Sequence, residues 1–427
     1  MEQRPVNTAR SLHEMGVVCG LAAGAWLAGA EAPTKLVTIG LSPFLVSLAM
    51  VGGVFVARWT LPTILKGTGY VFADLRHKSY LMIWAVLAGS LWAVGNTLTV
   101  FAVRDVGLSI AFPLWNVNSL VGVFWGWFFF RELRGAGPGT AVKVVGGAIA
   151  ILGGAVVLAY ASSHEASASP HRALSGIAAA VGAGLMFGTM YIPYRKAYLS
   201  GMNPISFVTV FTVGEVITMS ALAVAFSGGA ASVVAQLRQA RPALFWLFLG
   251  GFCWVVGDLF QNYAAKYIGI GRGVPLSNTN QLWGLAWGAL VFSEFAGHGR
   301  LTLVMVVVGS VAMILGAIAI SSAAAPEGEQ VSTQQAIARE CHRYGISLED
   351  AQAAQHGEDV VARAAPSHRG WDAVVVAAAS GIFLWLGANA QVPALHLRQG
   401  WMLGLVLLML VFLVGSGWLL WKRTRFS

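Results

Sequence analysis

The chain is written mostly in long apolar runs, each closed by a short cluster of charged, Gly or Pro residues. Runs of about 20 residues are what a helix needs to cross hydrocarbon. Their recurrence from end to end predicts an all-α polytopic membrane protein, because a barrel would alternate apolar and polar positions over about ten residues. The spans read approximately 15–32, 37–57, 80–102, 108–130, 142–161, 174–193, 205–226, 243–264, 274–292, 302–321, 371–391 and 401–420. Between 323 and 370 the pattern changes. "STQQAIARECHRYG" and "SLEDAQAAQHGEDVVARAA" predict two short helices in a polar linker, with Ser or Thr at their starts.

Composition agrees with the pattern. The 427 residues are 57% hydrophobic and 11% charged, with a mean hydropathy of +0.69, where a soluble chain carries about a quarter charged residues. With the N-terminus inside, outer segments hold only Lys35, Arg104, Arg172, Arg238, Arg241, Arg300 and Arg398 of the 27 Lys and Arg. The positive-inside rule then puts both termini in the cytoplasm and the chain in the cytoplasmic (inner or plasma) membrane. The net charge of +9 reads as topology, not as a nucleic-acid footprint. Cys19, Cys253 and Cys341 have no motif spacing, so no disulfide framework or metal site follows. There is no His-Glu-x-x-His, and "GAGPG" at 135–139 lacks the Lys-Ser/Thr of a phosphate loop. No cofactor and no catalytic cluster are read, which argues against an enzyme. The first run ends "LAGAEAPTK", which could pass for a signal-peptide cleavage site, but that run also belongs to a repeat.

Residues 92–133 align without a gap onto 254–295, and 15 of the 42 positions are identical, including Pro, Asn, Trp and Glu. Outward, "GLSP" (40–43) faces "GMNP" (201–204), Lys35 faces Arg195, and "GGAIAILGG" (146–154) faces "GSVAMILGA" (309–317). The unit holds five spans, and an odd number inverts the second copy. Inverted repeats mark secondary transporters, with solute bound near midplane between the halves. The expected division is 1–165 for the first repeat, 166–322 for the second, 323–370 for a cytoplasmic linker, and 371–427 for two extra spans and a basic tail.

A five-plus-five inverted repeat resembles the drug/metabolite transporter superfamily. "FGTMYIPYRKAYLSGMNP" (187–204) and the "WVVGD…G…N…WG…FSE" string of 254–294 are similar to its glucose/ribose porter branch, related to the rhamnose–proton symporters. The resemblance covers about 1–322. It implies a transporter of a sugar or similar small polar solute, and plant-type ureide permeases share these features. An exporter of the same superfamily and a non-transporting scaffold or enzyme using the linker stay open, as does a homodimer.

"PLWNVNSLVGVFWG" (113–126) and "PLSNTNQLWGLAWG" (275–288) put two amides inside each duplicated span. On a continuous helix residues two apart point about 200° apart. Asn118, Gly122 and Trp125 then share one stripe, as do Asn280, Gly284 and Trp287, giving an amide, a gap and a flat ring suited to a polyol. The bland reading is helix linking through Asn and close packing at Gly. It is preferred for Asn116 and Asn278 on the other face, and Gly122 and Gly284 serve either reading. Pro113 and Pro275 fall in the first turn. "WAVGN" and "WVVGD" pair Trp92 and Asn96 with Trp254 and Asp258, and Gln261 follows one turn on. These complete the candidate solute site. An intramembrane acid is a functional hypothesis by default, so Asp258 and Glu215 are the proton-coupling candidates, against neutral acids bridging helices. Glu31 reads as a rim charge near Lys35. Glu132 and Glu294 read as favouring the N-terminus of the helix that follows each. Tyr191 and Pro193 close span 6 as a candidate gate, the plainer reading of the tyrosine being an interfacial belt.

Overall fold

The structure, a computed structural model, describes residues 4–34, 37, 41–106, 111, 114–133, 137–162, 170–293, 299–323, 327–356, 358, 368–391 and 397–426. The first half contains α1 (Arg4–Thr34), α2 (Pro43–Leu65), α3 (Thr68–His77), α4 (Met82–Val106), α5 (Asn118–Phe130) and α6 (Pro138–Ser162). The second contains α7 (Pro170–Leu199), α8 (Pro204–Phe226), α9 (Ala230–Gln239), α10 (Arg241–Ile268), α11 (Ile270–Ser277), α12 (Asn280–Ala286) and α13 (Arg300–Ser321). After these come α14 (Glu327–Tyr344), α15 (Leu348–Gln355), α16 (Asp372–Ala388) and α17 (Gln399–Thr424). Among the described residues nine helices are long and apolar enough to cross a membrane, and α5 and α16 are shorter apolar helices. The remaining expected span, 274–292, is divided between α11, α12 and a π segment, Trp287–Val291.

Local chemistry repeats with the sequence. "LSP" starts α2, where the Ser42 hydroxyl accepts from the Leu45 N–H; "MNP" starts α8, where Asn203 accepts from the Ile205 N–H at 2.9 Å. Both are side-chain caps followed by Pro at the first helical position. The helices are apolar all round, so small residues set how they meet. Gly89 of α4 lies on the Phe211 carbonyl of α8, and Gly214 of α8 on the Val86 carbonyl of α4. Their counterparts, Gly251 of α10 and Gly53 of α2, lie on the carbonyls of Met50 and Phe248. A Cβ at any of the four would overlap backbone. The pairings come in matched sets: α1 lies along α10 as α4 lies along α7, and α2 crosses α10 as α8 crosses α4.

The later elements dock on this bundle. Trp26 of α1 donates to the Met409 carbonyl of α17 at 3.1 Å, and Asp372 at the start of α16 accepts from the Thr68 backbone N–H and hydroxyl. The linker helices rest on the end of α7. Lys196 pairs with Glu340 at 3.3 Å, Trp84 donates to the Tyr344 hydroxyl at 2.8 Å, and Gln355 donates to the Tyr198 carbonyl at 2.6 Å. Ser347 caps α15, as its position predicts. α14 begins at Glu327, earlier than the Ser/Thr start expected for it. Two helices also run further than expected. α2 continues to Leu65 and α7 to Leu199, so Arg58, Arg195 and Lys196 sit inside helices and not in loops.

Candidate functional site

Both duplicated Asn pairs interrupt a helix. After Leu114–Trp115 the chain turns at Asn116–Val117, and α5 begins at Asn118; α11 ends at Ser277, turns at Asn278–Thr279, and α12 begins at Asn280. The turns are tight, with Ser119 N–H on the Asn116 carbonyl at 3.0 Å and Leu282 N–H on the Thr279 carbonyl at 3.0 Å. Asn favours such turns by hydrogen bonding locally, and the Pro three residues before Asn278 lacks an N–H to continue the ladder. The continuous-wheel reading therefore fails at these positions. Pro275 lies near the end of α11, not in its first turn, and Pro113 lies outside the described residues.

The breaks bring all four asparagines to one cavity. Asn116, Asn118, Asn278 and Asn280 line it with Trp92, Asn96, Tyr191, Trp254 and Gln261 from the expected set. Its empty space, part of it open to the outside, is about 660 Å³. Asn278 links the two breaks, donating to Asn118 Oδ1 at 2.7 Å and to Ser119 Oγ at 2.5 Å. Trp92 and Trp254 pack against each other in the cavity wall, with centroids 4.8 Å apart and planes tilted by 56°. Gln261 donates to Ser277 beside the break. Among the described residues, three buried amide atoms in this cavity have no protein partner: Asn96 Nδ2, Asn116 Nδ2 and Asn280 Oδ1. Leaving such a group unpaired costs about 1–3 kcal/mol, so a polar solute or water belongs there.

Other expected site residues lie elsewhere. Trp125 turns away from the cavity, donating to Thr189 at 3.2 Å among Phe124, Phe128 and Phe129. Trp287 opens the π segment and is buried outside the lining set. Gly122 is in ordinary contact with Val274, whereas Gly284 faces open space and provides no close packing. Asn118 and Trp125 belong to the same unbroken α5, so the ring is lost to the cavity by its distance along the axis, about 10 Å beyond the amide, and Trp287 lies equally far past Asn280 in the π segment. Pro193 is buried inside α7, which continues through it. Glu31, expected at a rim, lines the cavity, as do Trp115, Thr99 and Phe187, which the sequence reading passed over. Glu294 and Lys35 lie outside the described residues.

Asp258 and Glu215 form a separate cluster behind Trp254. Both are fully buried and both face Arg58, itself fully buried: Arg58 Nη2 is 2.9 Å from Asp258 Oδ2, and Nε is 3.7 Å from Glu215 Oε2. The guanidinium lies over Phe211 at 3.9 Å and near the Trp254 ring at 5.4 Å. Tyr194 donates to Asp258 at 3.4 Å, while neither Glu215 oxygen accepts a hydrogen bond from any of the described residues. Arg58 escaped the sequence reading because span 2 was ended at residue 57, which placed it in a loop. Its signal was present: "VARWTLPTIL" keeps an apolar run going past a single arginine.

Comparison with known proteins bears on this half of the molecule. Residues 212–344 match the family described as Sugar transport protein. The chain is thus similar to sugar transport proteins. The matched segment carries Glu215, Trp254, Asp258, Gln261, Asn278 and Asn280, and runs on through α14. Two relatives, each named "Putative sugar uptake protein", come from Streptococcus pyogenes. The serotype M1 protein is 41% identical over 81 residues, 17% of this chain and 28% of its own length. The serotype M6 protein is 41% identical over 82 residues, 18% of this chain and 27% of its own. The chain therefore spans just over a quarter of these relatives' length. One solved chain, described only as a protein crystal structure, superposes with a TM-score of 0.46 at 17% identity, over 71% of this chain and 95% of its own. That overlap is too loose to assign a fold.

Proposed function

We propose that this protein is a secondary transporter that carries a sugar or similar small polar solute across the cytoplasmic membrane. Its two five-span halves are inverted, both termini are cytoplasmic, and the halves alternate access. The observation that carries the reading is the cavity, which the packed pair Trp92–Trp254 and asparagines from both duplicated spans line, and which holds amide atoms with no partner among the described residues. Amides offer both donors and acceptors to hydroxyls, and the indole rings cover the apolar face of a sugar ring. Family similarity over 212–344 supports the same solute class.

Proton coupling goes to the cluster behind Trp254. One guanidinium balances one carboxylate, and Asp258 and Glu215 are two. The second carboxylate is where a proton is carried, and Glu215, with no hydrogen-bond donor of its own, is the better carrier. Charge-balanced, the cluster can move through hydrocarbon; without the proton it holds an unpaired buried charge. Purified protein in proteoliposomes tests this. Counterflow of a labelled monosaccharide is expected, and an imposed pH gradient is expected to drive its uptake. Glu215→Gln is expected to keep counterflow and lose the response to the gradient. Counterflow only of ureides or nucleosides would move the solute class. No counterflow of any of them would overturn the reading.

A further inference from the structure

The cavity has a floor. Its lining residues come from the parts of α1, α2 and α4 nearer Thr34, Pro43 and Val106, and on α7 and α10 they reach down to Tyr191 and Gln261. Toward the opposite ends, Tyr194 and Tyr198 of α7 fill the path, both 0% exposed, and Tyr198 donates to Asn262. Below them lies a buried ion pair. Glu132, just past α5, is 4% exposed. Its carboxylate accepts from the N–H groups of Ile270 and Gly271 at 3.2 and 2.9 Å, in the first turn of α11. It also lies 3.2 Å from Arg195 Nε of α7. The same guanidinium donates to the Ala265 and Lys266 carbonyls at 3.1 and 2.9 Å, in the last turn of α10. One side chain of the first repeat is thereby tied to three helices of the second, including the end of the helix that delivers Asn278 to the cavity.

The backbone has made room for this carboxylate. A Cβ at Gly126 or Gly269 would stand 2.6 or 2.8 Å from its atoms. The sequence reading gave Glu132 to the N-terminus of the next helix in the chain, yet it serves a helix about 140 residues away. A cap could do that at the surface. A buried pair is costly to desolvate and is best attested where it selects between arrangements. If α11 swings away, water reaches both charges and the cost of separating them falls. The pair is therefore stable closed when dry and tolerable open when wet, which is what a two-state latch requires.

We infer that Glu132, with Arg195 and the first turn of α11, is the latch that holds the cavity shut on the side of the linker helices. Its release opens that side and carries Asn278 away from Asn118. The inference rests on the transport reading for its purpose, but its test needs no solute. In a background with Cys19, Cys253 and Cys341 replaced by alanine, one reporter is Ser277→Cys, 0% exposed at the end of α11 beside the cavity-lining Gln261. The other is Thr99→Cys, in the cavity wall. A membrane-impermeant maleimide is applied to either side. With Glu132→Gln, labelling at 277 from the linker side is expected to rise about ten-fold, and labelling at 99 from the cavity side to fall. Glu132→Asp should restore the parent rates.

Arg195→Lys, which keeps charge but not the paired carbonyl bonds, should shift both rates in the same opposed directions and serves if Glu132→Gln does not fold. Unchanged rates in folded variants would overturn the latch. So would rates that rise together, since a loosened structural staple exposes both positions. Opposed shifts in a protein that moves no solute would leave the latch standing and remove the transport reading instead.

Discussion

Two helix crossings in this molecule share a backbone and differ in chemistry. At one, α2 meets α10 through Gly53 and Gly251; at the other, α8 meets α4 through Gly214 and Gly89. Five residues past the first crossing glycine stands Arg58, which pairs with Asp258 at 2.9 Å. At the corresponding place stands Met219, which receives a 3.4 Å contact from Thr97, next to Asn96. Asp258 and Asn96 are counterparts in the repeat, but Asp258 turns to a buried cation and Asn96 turns to the cavity with its amide nitrogen unpartnered. Duplication supplied the scaffold twice, and the side chains divided two tasks between the copies. In the transport reading proposed above, the neutral crossing serves as solute wall, and the charged one holds the excess carboxylate.

The sharpest way to break the contrast is to copy the neutral crossing onto the charged one. Arg58→Met alone strands two buried carboxylates, and removing one partner of a buried pair costs about 3–5 kcal/mol. A large fall in melting temperature in detergent is expected, with loss of uptake. Adding Asp258→Asn and Glu215→Gln removes the stranded charges, so the triple variant should regain most of the melting temperature. It should still not respond to a pH gradient. A triple variant as unstable as Arg58→Met would mean that the arginine contributes packing over Phe211 and Trp254, not charge balance.

The glycines test the half of the contrast that is alike. Gly89→Ala and Gly251→Ala each drive a methyl into a backbone carbonyl of the crossing helix. Overpacking costs about 1–3 kcal/mol or more where neither backbone can yield. Equal losses at the two sites, read by thermal unfolding, are expected if the crossings are alike in mechanics. A loss at one alone would say that the matched backbones carry unequal strain.

Much of this was legible in the chain, for identifiable reasons. The all-α polytopic character follows from the length of the apolar runs, and the sequence repeat rests on identities at Pro, Asn, Trp and Glu that hydrophobicity alone does not produce. Asp258 and Glu215 stood out because acids in apolar runs are rare. What stayed hidden depended on where helices stop. Ending span 2 at residue 57 concealed Arg58. Treating 113–126 and 275–288 as unbroken helices put Asn116 and Asn278 on the face opposite Asn118 and Asn280, whereas the turns at Asn116–Val117 and Asn278–Thr279 reset the angular phase and bring all four to one cavity. Asn favours turns as well as polar contacts, and a periodicity argument hears only the second. The partner of Glu132 lay about 140 residues away, beyond any local motif.

A smaller effect separates the two breaks. Asn278→Ala removes the donor to Asn118 and Ser119 and so unties the breaks. Losing a buried donor whose acceptors stay behind costs about 1–3 kcal/mol, so solute affinity should fall about ten-fold. Asn96→Ala removes an amide whose nitrogen has no protein partner, so stability should hold while affinity falls by a similar factor. If Asn96→Ala weakens the fold and leaves affinity unchanged, its amide faces protein and not solute.

The smallest expected effect is at Gly284, whose counterpart Gly122 touches Val274 at 3.6 Å while nothing lies within 4 Å of a Cβ at 284. Alanine is better than glycine in a helix interior by about 0.5–1 kcal/mol, because it loses less backbone freedom. With open space on that face of α12, Gly284→Ala should raise the melting temperature slightly and leave solute affinity unchanged. The same change at 122 meets Val274 of α11 at an ordinary van der Waals distance and should be tolerated as well. A loss at 284 would mean that α12 closes against another element during the transport cycle, because no neighbour in the present arrangement penalises a methyl there.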